Sequence, residues 1–165
     1  MTTKNISQVG ETSRAPLRCE PNLRQRILVV DDDAAIRQIN TAILTVSGYH
    51  VDSAEDGAVA WDALQLKNYD LMVTDNDMPR VTGVELIQKI QAAGMALPVI
   101  MATGAVPEFT SYGSLQPAVT LLKPYTFHEL LAAVENLLRA ASDSLEEIAP
   151  SPNWQMHPLN DRLRL

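Results

Sequence analysis

Between Arg26 and Ala140, short continuously apolar runs alternate with amphipathic stretches, and that alternation leaves few folds open. The strand candidates are Ile27–Val30, Tyr49–Ser53, Leu71–Thr74, Pro98–Ala102 and Ala118–Leu122. Four of them are apolar throughout rather than at every second residue. Strands of that kind are covered on both faces, as in parallel sheets built from right-handed βαβ units. Apolar residues at helical spacing fill the intervals: Ile36, Ile39 and Ile43; Leu86, Ile87 and Ile90; Leu130, Leu131, Val134, Leu137 and Leu138. A further helix covers Gly57 to Lys67. The reading is an α/β domain, a doubly wound five-stranded parallel sheet with helices on both faces.

One connection departs from the pattern. Between Thr103 and Ala118 a fourth helix is due, but Gly104, Pro107, Gly113 and Pro117 interrupt it, so a short or mobile helix is expected there. Residues 1–24 are polar, carry Pro16 and Pro21 and read as a flexible N-terminal arm. Residues 25–141 form the domain, and residues 142–165 read as a C-terminal tail without an output domain. Cys19 is the single cysteine, which excludes an internal disulfide and a thiolate metal cluster. No run approaches the length of a membrane span or a secretion signal. The expectation is a cytoplasmic protein with no membrane insertion. Acidic residues outnumber basic ones 20 to 13, a net charge of −7, which argues against direct binding to nucleic acid.

The chemistry collects where the strands end. In open parallel sheets, ligands bind beyond the carboxyl ends of the strands. The first strand ends in Asp31, Asp32 and Asp33, the third in Asp75 and Asp77, the fourth in Thr103 and the fifth in Lys123. Taken alone, the first trio is as well explained by a helix cap with a solvated flank, and Asp75 with Asp77 by a turn before Pro79. Their joint placement at four strand ends argues for one site. Packed carboxylates repel unless a cation lies among them, and oxygen donors of this kind suit Mg²⁺. A carboxylate flanked by Mg²⁺, an ammonium and a hydroxyl is equipped to accept a phosphoryl group, whose equatorial oxygens those three groups would hold. Asp75, on a central strand, is the candidate acceptor.

The stretches "ILVVDDD", "DLMVTDNDMPRVTGVEL", "PVIMATG" and "LLKPY", in that order, resemble the receiver domain of two-component response regulators over roughly residues 26 to 140. The resemblance implies the flavodoxin-like receiver fold with strand order 2-1-3-4-5. It implies Asp31 and Asp32 as the acidic pair, Asp32 binding the metal directly, Asp75 as phospho-acceptor and metal ligand, and the backbone carbonyl of Asp77 as a further ligand. Thr103 becomes the switch hydroxyl and Lys123 the phosphate-sensing cation, with a cis Lys123–Pro124 bond. Gly83 matches a turn glycine, and Gly104 a small residue beside the phosphate. Thr120 stands where the family often has an aromatic switch residue.

The function implied is a stand-alone regulator, not an enzyme, that takes phosphate from a histidine kinase or phosphotransfer protein and signals through protein contacts. Its fourth helix, fifth strand and fifth helix would form the signalling face and pair copies into a homodimer. Two alternatives stand beside it. "DND" also resembles the DxD opening of haloacid-dehalogenase-type phosphatases, although there it lies on the first strand. A docking module independent of phosphorylation would fit Thr120 and the interrupted fourth helix. His50, His128 and His157 share no ligand spacing, Trp61 is expected on the inner side of its helix, and Trp154 lies in the tail.

Overall fold

The computed structural model of the chain describes residues 25–105 and 117–146. The arm with Cys19, the tail residues Trp154 and His157, and the connection in which a fourth helix is expected lie outside the described residues. The elements are β1 (Arg26–Val30), α1 (Ala34–Val46), β2 (His50–Ala54), α2 (Gly57–Leu66), β3 (Leu71–Thr74), α3 (Gly83–Ala92), β4 (Val99–Thr103), β5 (Val119–Leu122) and α4 (Phe127–Glu146). The helix counted fifth in the sequence is thus α4 here. It runs on through Glu146, past the boundary the sequence suggests at residue 141.

The strands form one parallel sheet in the order β2-β1-β3-β4-β5. Side chains alternate across it with the strand period of two. Leu28 and Val30 of β1, Met72 of β3 and Val99 and Met101 of β4 pack with Ala60 and Leu64 of α2 and Leu86, Ile87 and Ile90 of α3. Their neighbours Ile27, Val29, Leu71, Val73 and Ile100 pack on the other face with Leu44 of α1 and Leu130, Val134 and Leu138 of α4. Both faces are buried, which is why the central strands are apolar throughout. Trp61 is half-buried against the first of these cores, and Lys89 lies over its ring at 5.8 Å.

Helix starts are set by local side chains. Asp33 accepts from the amides of Ala35 and Ile36, and Asp56 from those of Ala58 and Val59, each satisfying donors that a helix N-terminus leaves unpaired. Thr82 and Glu85 form a reciprocal capping box on α3, and Thr126 and Glu129 exchange the same bonds at the start of α4. These N-caps start α1, α2 and α4 soon after the preceding strand ends, while the loop before α3, which carries Asp75 and Asp77, is longer.

Candidate functional site

Strand register brings the acidic residues together. Val30 of β1 is level with Thr74 of β3, so the residues that follow them, Asp31 and Asp75, leave the sheet side by side at the point where the strand order reverses. Thr103 of β4 is level with Leu122 of β5, and the Lys123 amide donates to the Thr103 carbonyl at 2.9 Å. Lys123 Nζ then reaches back across the rim, 3.0 Å from Asp31 Oδ2 and 3.1 Å from Asp75 Oδ2. Oxygens of Asp31, Asp32 and Asp75 lie within 4.8 Å of one another. Asp31 and Asp75 are buried, whereas Asp32 is exposed to solvent.

The remaining contacts fix these groups. Asp31 Oδ1 accepts from the Asp33 amide at 2.9 Å, so the residue that caps α1 also orients the acid below it. Arg37, one turn into α1, donates to the carbonyls of Asp31 at 2.6 Å and Asp32 at 3.3 Å. Asp75 Oδ1 accepts from the Asn76 amide at 2.7 Å. Gly83 closes the loop after β3: its amide donates to the Asn76 carbonyl, and a Cβ at this position would stand 2.2 Å from the Asp75 carbonyl oxygen. Only glycine fits there, which gives the turn glycine its physical reason.

Burial is the largest influence on Asp31 and pushes its carboxyl above the ordinary value, against the hydrogen bond and charge of Lys123. Burial also pulls Lys123 down, but its hydrogen bonds to Asp31 and Asp75 prevail and hold the ammonium above its ordinary value. An isolated ion pair would lower its acid. Here one ammonium serves two carboxylates, and Asp31 is the more deeply buried of them, so its rise is consistent with a shared cation.

The other sequence candidates lie near this cluster without joining it. Thr103 is fully buried at the end of β4, and its hydroxyl donates to the Ala105 carbonyl at 2.9 Å and accepts from the Ala105 amide at 3.4 Å. Asp77 is exposed, outside the carboxylate trio, and accepts from Asn76 Nδ2 at 3.0 Å. Gly104 has open space where a Cβ would be, and the Lys123–Pro124 bond is cis. Thr120 lies on β5, level with Met101.

Three features escape the sequence. Buried Asp56 forms an ion pair with Arg80, which links the loops after β2 and β3. Arg37 grips the backbone of the acidic pair. Buried Asn40 of α1 donates to the Tyr125 hydroxyl at 2.8 Å. The Asp before Gly57 is a readable cap signal for the first; contacts between distant segments, such as Asn40 to Tyr125, leave no local trace.

Oxygen donors alone make up the cluster, the donor chemistry a hard divalent cation requires, so the residues fit Mg²⁺. Among the described residues no helix is long and apolar enough to cross a membrane.

Known proteins agree with this arrangement. The response regulator MprA of Mycobacterium sp. (strain KMS) is 36% identical over 119 residues, covering 71% of this chain and 52% of the relative. MprA of Mycobacterium tuberculosis (strain ATCC 25177 / H37Ra) is 35% identical over 128 residues, covering 75% of this chain and 56% of its own. The chain therefore spans about half the length of these relatives. Among solved structures, the response regulator TrrA of Thermotoga maritima in complex with Mg²⁺-BeF superposes with a TM-score of 0.61 at 33% identity, covering 68% of this chain and 98% of that one. A CheY-like receiver domain from Methanospirillum hungatei JF-1 superposes with a TM-score of 0.68 at 28% identity, covering 73% of this chain and 98% of that one. The response regulator receiver domain family matches residues 27–135, from β1 into α4. With the sheet order and the carboxylate rim already in place, that match decides the matter: the chain belongs to the response regulator receiver domain family of two-component systems.

Proposed function

We propose that the chain is a phosphorylation-controlled receiver in which Asp75 accepts a phosphoryl group from a histidine kinase or phosphotransfer protein. The observation that carries this reading is the three-way meeting of Asp31, Asp75 and Lys123. Asp31, Asp32, Asp75 and the Asp77 carbonyl would hold Mg²⁺, which when bound neutralises oxygens of the transferred group. An oxygen of Asp75 attacks phosphorus, the bond from phosphorus to the donor nitrogen breaks, and the donor imidazole leaves with the electron pair and takes up a proton. Lys123 turns from the carboxylates toward a phosphoryl oxygen, exchanging ionic contact with Asp75 for contact with the new phosphoryl group. The Thr103 hydroxyl exchanges its bond to Ala105 for another phosphoryl oxygen, and that exchange alters the loop after β4. The chain acts by presenting the altered surface to a protein partner, the face of β5 and α4, with the helix expected before β5, being the one that would also pair two copies.

Incubation of the full chain with Mg²⁺ and acetyl phosphate, followed by intact mass, tests the proposal. A gain of one phosphoryl group that Asp75→Asn abolishes is the expected result. No gain under any condition leaves a docking module, and steady turnover of a phosphomonoester would instead support a phosphatase.

A further inference from the structure

Asn40 sits on the inner face of α1, in line with Ile36 and Leu44, and is only 4% exposed. An apolar residue would be the ordinary occupant of that face, because a buried amide is costly unless it is hydrogen-bonded. Its partner is the hydroxyl of Tyr125, 2.8 Å away and 85 residues later in the chain. Tyr125 lies in the short segment between the end of β5 and the start of α4, two residues after Lys123. Tyr125 packs against the core that holds Leu44, and an open pocket of about 470 Å³, lined by Ile36, Ile39, Asn40, Lys123, Pro124 and Tyr125, lies beside the hydrogen bond.

The same helix also holds the other end of the ion pair. Asp33, its cap, donates its amide to Asp31, and Arg37 donates to the Asp31 carbonyl. One rigid element therefore registers both Asp31 and the segment that carries Lys123. We propose that the Asn40–Tyr125 hydrogen bond is a positioning contact for phosphoryl transfer, holding Lys123 over Asp31 and Asp75 by fastening its loop to α1. Asn40 and Tyr125 are positioning residues: they act through Lys123. The proposal rests on Asp75 being the acceptor.

Two variants separate positioning from mere stability. Tyr125→Phe removes the hydroxyl and leaves the Asn40 amide buried without its partner. Asn40→Leu combined with Tyr125→Phe removes both polar groups and restores an apolar match, so stability should return. In the full chain, the urea midpoint measured without Mg²⁺ should fall for Tyr125→Phe and recover in the double variant. The initial rate of phosphoryl uptake from acetyl phosphate with Mg²⁺ should stay depressed in both, on the order of tenfold, within the roughly 100-fold that a misplaced group costs. Uptake that follows the urea midpoint and recovers in the double variant would overturn the proposal, as would an unchanged rate in both. Absence of uptake by the unaltered chain would defeat the Asp75 reading itself, a distinct outcome.

Discussion

Lys123 Nζ lies 3.1 Å from Asp75 Oδ2 while also pairing with Asp31, so a single ammonium is shared between the two buried acids of the rim. Without it, two desolvated carboxylates would face each other on adjacent strand ends. Removing one partner from a buried pair is far more damaging than removing an exposed one.

Lys123→Met should therefore lower the stability of the Mg²⁺-free protein by about 3 kcal/mol, the low end for breaking a buried pair. Mg²⁺ should recover part of that loss by replacing the missing positive charge. Urea unfolding with and without Mg²⁺ measures both effects, and equal midpoints for the variant and the parent in Mg²⁺-free buffer would contradict this account of the rim.

The Thr103 hydroxyl is engaged within its own loop, so Thr103→Ala should cost only about 1 kcal/mol of stability. Its larger effect should be on response. Phosphorylation of the parent protein should change amide exchange at Gly104 and Ala105, because the hydroxyl leaves the Ala105 carbonyl. The variant should take up phosphate with no such change. Hydrogen–deuterium exchange before and after phosphorylation reads the difference.

Gly83→Ala places a methyl 2.2 Å from the Asp75 carbonyl oxygen and 3.0 Å from the Asn76 Cα, and backbone must yield. A destabilisation of roughly 1–3 kcal/mol is expected, as for overpacking elsewhere. Because the displaced atom belongs to Asp75, Mg²⁺ affinity should fall as well. Titration with Mg²⁺ beside a urea melt checks whether the two losses come together.

At the opposite end of the sheet, Asp52 accepts from Arg26 at 3.0 Å, Lys67 at 3.1 Å and Tyr69 at 2.8 Å. Burial, then the hydrogen bond to Asp52, pushes the Tyr69 hydroxyl from 10.0 up to about 12. The folded state holds that proton more tightly than the unfolded chain does. Its stabilising contribution is whole below pH 10.0 and is lost as pH rises toward about 12. Lys123, raised above 10.5, contributes to the same alkaline limb, and only the Tyr69 part disappears in Tyr69→Phe. Asp52 runs the other way: burial opposes its three donors and is outweighed, so its carboxyl lies below 3.8 and its contribution fades as pH falls through that lowered value. Thermal melts of both proteins across the pH range test the signs.

The sheet was legible because its strands are short and its three central ones, β1, β3 and β4, are buried on both faces. Leu71–Thr74 was readable to the residue, and the other four strands begin or end within a residue of their observed bounds. Strand ends in turn located the acids and the lysine, since residues that follow level partners such as Val30 and Thr74 must emerge together. The end of α4 was not legible: Ser142 and Asp143 weaken helical propensity, yet the Ser142 hydroxyl bonds the Leu138 carbonyl and the helix continues. Asn40 was unreadable for a different reason. An amide on an apolar helix face looks like a flaw until the tyrosine opposite it is known.

The crowded rim has a consequence for how this molecule is read at a distance. Three carboxylates and one ammonium sum to −3 + 1 = −2, and a bound divalent ion brings that to zero. Phosphorylation of Asp75, as proposed, would trade one unit of negative charge for the roughly two of a phosphate group, so the loaded pocket would differ from the metal-bound one by only about one unit. A change that small, screened over about 8 Å at physiological salt, barely alters the long-range field. Recognition must then come from contour: a listener has to touch the surface to learn its state.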